Sequence, residues 1–153
     1  MSSSVMTGPW GQPVGEYIFM PGTVFEFSLT IPLAQKGGFK LHVSVHPEDA
    51  DPLARLALPT LRLLHVHHKV VRNRELYERM NRGAQRGKFI TIYPGPAAKA
   101  QAVVDALEPG IARHGFRPGP PPTTRQSRHT TYEIRIGRSG LISCYWCEDY
   151  END

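Results

Sequence analysis

The chain has 153 residues, which suits one domain with a buried hydrophobic core. Its formal charge of +4 favours anionic partners, but the excess is too small to indicate nucleic acid by itself. No run approaches the ~20 consecutive apolar residues of a membrane span. The N-terminus also lacks the basic and apolar regions of a secretion signal, so a cytoplasmic protein is expected.

The chain opens with a segment rich in Ser, Gly and Pro. This composition predicts a mobile or loosely packed leader at residues 1–22, and one folded domain is expected over residues 23–150. Further along, apolar and polar residues alternate between Gly and Pro positions, as in strands. The predicted strands lie at 24–31, 39–45, 65–71, 88–93, 130–136 and 141–146.

Three segments have the apolar spacing of helices. The first follows Asp49 or Asp51 and contains Pro59, which is expected to break or kink it. The second is capped by Asn73, and the third covers residues 97–107. Together these elements predict an α+β fold: a single domain with a twisted, largely antiparallel sheet of about six strands, covered by two or three helices.

Two of the predicted strands have one apolar face and one basic face, because side chains alternate along a strand. The residues on the basic faces are Lys40, His42 and Ser44 in the first strand, and His65, His67 and Lys69 in the second. Two such strands predict a sheet face that binds an anion.

Metal ligation has weak support in the sequence. Cys144 and Cys147 form a CxxC pair, and His65, His67 and His68 lie together, but neither group has further ligands at zinc-site spacing. We expect ordinary thiols rather than a redox or zinc pair, and neither a metal nor another cofactor.

Residues 87–94, GKFITIYP, resemble the lyase region of class III lanthipeptide synthetases. Lys40-x-His42 is similar to a Lys-x-His strand of those lyases and of the bacterial phosphothreonine lyase effectors, and Lys69 follows at a suitable distance. The ordered similarity covers about residues 38–138. It predicts a phosphoserine/phosphothreonine lyase-like domain.

The resemblance extends to two arginines and also has departures. Arg125 and Arg135 resemble arginines before and within a Tyr-Tyr-Arg-Tyr-Gly strand, which here reads YEIRIG at residues 132–137 and lacks two of its aromatic residues. The chain has no kinase or cyclase region. It is therefore expected to be a free-standing lyase that acts with a separate kinase and a separate cyclase.

The resemblance implies that phosphate is eliminated from a phosphorylated ribosomal precursor peptide, giving dehydroalanine or dehydrobutyrine in lanthipeptide-type biosynthesis. Lys69 would remove the Cα proton, His42 would protonate the leaving oxygen, and Lys40 would stabilise the developing charge. A lysine is largely protonated at neutral pH. Lys69 would therefore need partial burial or nearby cations to lower its pKa before it could act as a base.

Phosphate binding is expected from arginines, whose planar guanidinium matches two phosphate oxygens. The candidates are Arg82, Arg125 and Arg135, with Arg86 competing with Arg82, and Tyr93 as a further phosphate-binding or pocket residue.

Two other functions fit parts of the pattern. One is a non-catalytic module that binds a phosphorylated peptide or a leader peptide for a modifying enzyme. The other is a small basic RNA-binding domain, although no RNP or KH signature is present. We expect a phosphorylated peptide as the partner, and neither nucleic acid nor membrane.

Overall fold

The computed structural model of the protein describes residues 7–126 and 129–152; the side chains of residues 125, 126, 129 and 152 fall outside that description. The helices are α1 (Ala50–Leu63), α2 (Arg74–Met80) and α3 (Ala97–His114). The strands are β1 (Tyr17–Phe19), β2 (Phe25–Ser28), β3 (Gly38–Val43), β4 (His67–Val71), β5 (Ile90–Gly95), β6 (Thr123–Gln126), β7 (His129–Tyr132), β8 (Ile134–Ile136) and β9 (Ile142–Cys147).

Seven strands form one sheet in the order β1-β2-β4-β5-β3-β9-β8, and every pair of neighbours is antiparallel. Alternate residues such as Leu41, Val70 and Ile92 are fully buried and pack with apolar residues of α1 and α3. The predicted α+β fold with a large antiparallel sheet is confirmed. The core lies between this sheet and the helices, so the polar residues of β3, β4 and β5 point to the other face.

Helix α1 continues through Pro59 for a total of 14 residues, so the expected break is absent. A proline removes one backbone donor and leaves the carbonyl of the residue four positions earlier without its usual partner. Here Pro59 and Arg55 both lie on the exposed side of the helix, where water can satisfy that carbonyl. Among the described residues, no helix combines the length and apolarity that a membrane span requires.

The packed structure begins before residue 23, within the segment expected to be a leader. Strand β1 forms the edge of the large sheet beside β2. Upstream of it, the Trp10 indole N–H donates to the Val71 carbonyl at 2.7 Å, and its ring packs edge-on against Phe89 with centroids 5.1 Å apart. Residues 10–19 therefore contribute to the core and to the sheet.

The strand predicted over residues 130–136 is divided at Glu133. Strand β7 pairs with β6 in a separate two-stranded sheet, whereas β8 pairs with β9 in the large sheet. The turn between β8 and β9 has Gly137 and Gly140 at φ of 76° and 80°, a region that favours glycine. The division brings Glu133 to the junction of the two sheets.

Candidate active site

Cross-strand register aligns the central polar residues in one row. Lys69 of β4 lies opposite Thr91 of β5, Thr91 lies opposite His42 of β3, and His42 lies opposite Ser143 of β9. Directly opposed residues of antiparallel strands project from the same face. The row therefore runs across the face of the sheet that the helices leave uncovered.

A cavity of about 230 Å³ opens on this face and brings together the three predicted catalytic residues. It is lined by Phe25, Lys40, His42, Lys69, Gln85, Lys88, Thr91, Thr124 and Tyr145. Three of these residues are lysines, and no carboxylate is among the lining residues that the structure describes. Such a lining suits a negatively charged group.

Aromatic rings hold the two lysines that come from β3 and β4. The Lys69 ammonium lies 4.1 Å from the centroid of Phe25 and 5.4 Å from that of Phe27. The Lys40 ammonium lies 5.3 Å from the centroid of Tyr93 and 5.7 Å from that of Tyr145. The faces of these rings therefore fix the positions of both ammonium groups in the site.

His42 is held by a buried carboxylate. Its Nδ1 lies 2.7 Å from Oε1 of Glu133, and the two side chains are 3% and 0% exposed. Glu133 also accepts hydrogen bonds from the hydroxyls of Thr124 at 2.6 Å and Ser143 at 2.9 Å. With Nδ1 directed at Glu133, the other ring nitrogen, Nε2, is left for the cavity.

The charges of this pair follow from their surroundings. Burial lowers the pKa of His42, and the positive charges of Lys88 and Lys40 lower it further against the opposing effect of Glu133. Burial alone would raise the pKa of Glu133, but the hydrogen bonds that it accepts outweigh burial and lower it. At neutral pH the protein therefore has a neutral imidazole beside an ionised carboxylate.

The structure places the predicted loop arginines outside the cavity. Arg82 and Arg86 are exposed in the connection between α2 and β5, and neither belongs to the cavity lining. The same connection instead contributes Gln85 and Lys88 to it.

The other predicted phosphate-binding residues occupy different positions. Arg135 of β8 is in register with Ser143, but its side chain is exposed and its guanidinium lies beside Gly140 in the turn. Arg125 follows Thr124 in β6, and its side chain lies outside the described residues. Tyr93 is 8% exposed and packs behind Lys40 rather than lining the cavity.

His65 does not share a strand face with His67 and Lys69, contrary to the sequence-based prediction. It precedes β4 and has a φ of 54°, so the alternation of the strand does not extend to it. The His67 ring Nδ1–H donates to the Ile31 carbonyl at 2.6 Å. Within residues 7–126 and 129–152, no group of three or more His, Cys, Asp or Glu side chains is placed to hold a metal ion.

The family model described as "RamC, N-terminal domain" matches residues 28–121, which is more than half of the chain. This chain belongs to the RamC N-terminal domain family. No curated protein matches the chain significantly.

Solved structures share the fold of this RamC N-terminal domain. The phosphothreonine lyase effector OspF from Shigella flexneri aligns with a TM-score of 0.59 at 17% identity, over 84% of this chain and 67% of its own. The phosphothreonine lyase effector VirA (SpvC) of Chromobacterium violaceum aligns with a TM-score of 0.59 at 17% identity, over 85% of this chain and 64% of its own. The Salmonella plasmid virulence C protein (SpvC) aligns with a TM-score of 0.57 at 18% identity, over 84% of this chain and 63% of its own. The chain spans about two thirds of these proteins, and at such identities the likeness establishes the fold.

Sequence reasoning missed several site residues of this RamC N-terminal domain. Lys88 lies inside the GKFITIYP segment, but it precedes β5 and is not among the predicted site residues. Glu133 lies where this sequence departs from the Tyr-Tyr-Arg-Tyr-Gly strand of the similar lyases. That departure is the signal in the sequence that could have pointed to Glu133 as a site residue. Thr124 and Tyr145 reach the cavity only through tertiary pairing, which the sequence pattern does not specify.

Proposed function

We propose that this domain is a phosphoserine/phosphothreonine lyase that eliminates phosphate from a phosphorylated peptide. The observation that carries the proposal is the convergence of Lys40, His42 and Lys69 on one cavity, with Lys88 as a further cation. The structural neighbours named as phosphothreonine lyases support it through their shared fold. Elimination needs a base, an acid and an anion site, and the cavity has residues of each type.

In the proposed reaction, neutral Lys69 removes the Cα proton of the phosphorylated residue. The C–H electron pair becomes the second bond between Cα and Cβ, and the Cβ–O bond breaks with its electrons on the leaving oxygen. His42 donates the Nε2 proton to that oxygen. The products are inorganic phosphate and dehydroalanine or dehydrobutyrine, and water is not consumed. Lys40 stabilises negative charge on the adjacent carbonyl oxygen.

Phosphate binding would be carried out mainly by lysines in this site. Lys88 and Lys40 are the cations that act most strongly on His42, so both lie close enough to influence a phosphate at its ring. Thr124 and Gln85 add hydrogen-bonding groups to the lining. A bound dianion would reverse the positive field at His42 and raise the pKa of the imidazole, which prepares it to act as an acid.

The proposed substrate is a ribosomal precursor peptide that a kinase activity phosphorylates and a cyclase activity later closes into rings. Support comes from the resemblance of residues 87–94 to class III lanthipeptide synthetases and from membership of the RamC N-terminal domain family. Dehydroalanine and dehydrobutyrine are electrophiles that a cysteine thiolate can attack, which fits a later cyclisation.

A second candidate function is supported by the surroundings of Lys69. Its ammonium lies against the faces of Phe25 and Phe27, and ring faces stabilise a charged amine. A permanently charged Lys69 would bind phosphate without removing a proton. The domain would then be a non-catalytic phosphopeptide-binding partner of a modifying enzyme.

Incubation with synthetic phosphoserine and phosphothreonine peptides tests the proposal. Mass spectrometry should show the loss of one phosphoric acid, and the product should add a thiol at the former phosphorylated residue. Lys69→Met, which keeps the apolar stem against Phe25, should abolish the product. Lys36→Met is the matched control, because Lys36 is 80% exposed and pairs with Asp149 at 3.8 Å.

The alternative outcomes are distinct. Binding of the phosphopeptide without any product would favour the non-catalytic function. Conversion to an unmodified hydroxyl residue would indicate hydrolysis and contradict the lyase assignment. Equal elimination by wild type and Lys69→Met would exclude Lys69 as the base.

A further inference from the structure

Glu133 joins three separate strands at the site. It lies between β7 and β8, where the chain passes from the two-stranded sheet to the large sheet. Its carboxylate accepts from His42 of β3, from Thr124 of β6 and from Ser143 of β9. The carboxylate is completely buried, so these contacts determine where it can lie.

The three contacts use both carboxylate oxygens. Oε1 accepts from His42 Nδ1 at 2.7 Å and from Ser143 Oγ at 2.9 Å, while Oε2 accepts from Thr124 Oγ1 at 2.6 Å. An ionised carboxylate can only accept, so the hydrogen of the neutral imidazole lies on Nδ1. Rotation of the His42 ring would break the bond to Oε1 and leave a buried charge with one donor fewer, which is costly.

We propose that Glu133 is a positioning residue for His42: it keeps the hydrogen on Nδ1 and directs Nε2 into the cavity, and through Thr124 it attaches the β6–β7 hairpin to the same ring. The inference rests on the proposed lyase function for its catalytic meaning. A proton taken up at Nε2 when phosphate binds is delivered to the leaving oxygen, and the ring returns to the neutral Nδ1–H form. Glu133 keeps its negative charge throughout.

The charge of Glu133 has an effect that a neutral acceptor would not have. Its negative charge and its hydrogen bond raise the pKa of His42 against burial and against the fields of Lys88 and Lys40. Loss of the charge would therefore leave His42 harder to protonate. An amide at this position would keep the size of the side chain but remove the charge.

Glu133→Gln tests this role in a pH series of phosphopeptide elimination. The variant should lower kcat about 100-fold, by analogy with general acids that lose an orienting carboxylate, while KM changes little. The alkaline limb of the kcat profile should move to lower pH, because less His42 is protonated at a given pH. Wild-type kcat and an unshifted limb in an active preparation would overturn the proposal.

Glu108→Gln is the matched control. Glu108 is a carboxylate of α3 that accepts from the backbone N–H and the hydroxyl of Ser139, and it does not line the cavity. Glu108→Gln therefore makes the same change from carboxylate to amide at a position outside the cavity that His42 lines. This control should retain the wild-type rate and pH profile.

Nitrogen NMR of histidine in the unsubstituted protein tests the geometry independently of activity. Neutral His42 should carry its hydrogen on Nδ1, with an unprotonated Nε2. A dominant Nε2–H form would overturn the positioning role, whatever the enzymatic result. If the wild type eliminates no phosphate, the proposed function fails, whereas the tautomer still decides whether Glu133 orients the ring.

Discussion

Lys88 is the residue whose replacement distinguishes a lysine phosphate site from the arginine site predicted by the sequence. It precedes β5, is half-buried, and lines the cavity with His42 and Thr124. Arg82 belongs to the same connection but lies outside the lining. We therefore predict that Lys88→Gln impairs phosphopeptide turnover and that Arg82→Gln does not.

The size of the effect follows from the interaction that is removed. A hydrogen bond to a charged group contributes about 1.5–3 kcal/mol, and a half-buried lysine belongs in the middle of that range. A loss of about 2 kcal/mol corresponds to about a 30-fold decrease in kcat/KM. Because Lys88 lowers the pKa of His42, its removal should also move the alkaline limb of the kcat/KM profile to higher pH.

The assay is continuous release of inorganic phosphate from a phosphoserine peptide, measured for both variants over a range of pH. Arg86→Gln provides a second exposed control in the same connection. A normal kcat/KM for Lys88→Gln together with a large loss for Arg82→Gln would refute the lysine site. It would show that the connection rearranges so that the arginine reaches the phosphate.

Two further predictions concern stability. Trp10→Ala should lower the free energy of unfolding by about 2 kcal/mol, since it removes the hydrogen bond to Val71 and the packing on Phe89; urea unfolding with no change would instead support a loosely packed leader. Burial lowers the pKa of His68 to about 4, so the unfolded chain binds a proton that the folded protein does not between about pH 4 and 6.5. Stability should therefore rise by up to about 3 kcal/mol across that window, and a flat urea-unfolding profile would contradict it.

The local part of the site could be read from the sequence because strand alternation is a short-range rule. Lys40 and His42 are two residues apart in β3, and both project from the polar face, as their spacing predicts. Lys69 follows the same rule in β4. His65 does not, because the chain enters β4 through a backbone conformation with positive φ that the pattern of residue types did not reveal.

The remaining part of the site depends on pairing between distant segments. Strand β5 lies between β3 and β4, and this arrangement sets the spacing between His42 and Lys69 through Thr91. Alternation within one segment does not specify which strands become neighbours. The same limit applies to Glu133, because its hydrogen-bond partners His42, Thr124 and Ser143 come from three different strands.

Under the proposed function, the cations of the cavity have two opposed effects on His42. Lys40 and Lys88 attract the phosphate, but until it binds they lower the pKa of the imidazole and keep it neutral. A bound phosphate dianion neutralises their field and adds its own, so the ring gains its proton when the leaving group arrives. Glu133 orients the ring, since it accepts the hydrogen bond from Nδ1 and leaves Nε2 to take up that proton. An unphosphorylated peptide would meet a neutral ring, and the acid would be formed only with the substrate that needs it.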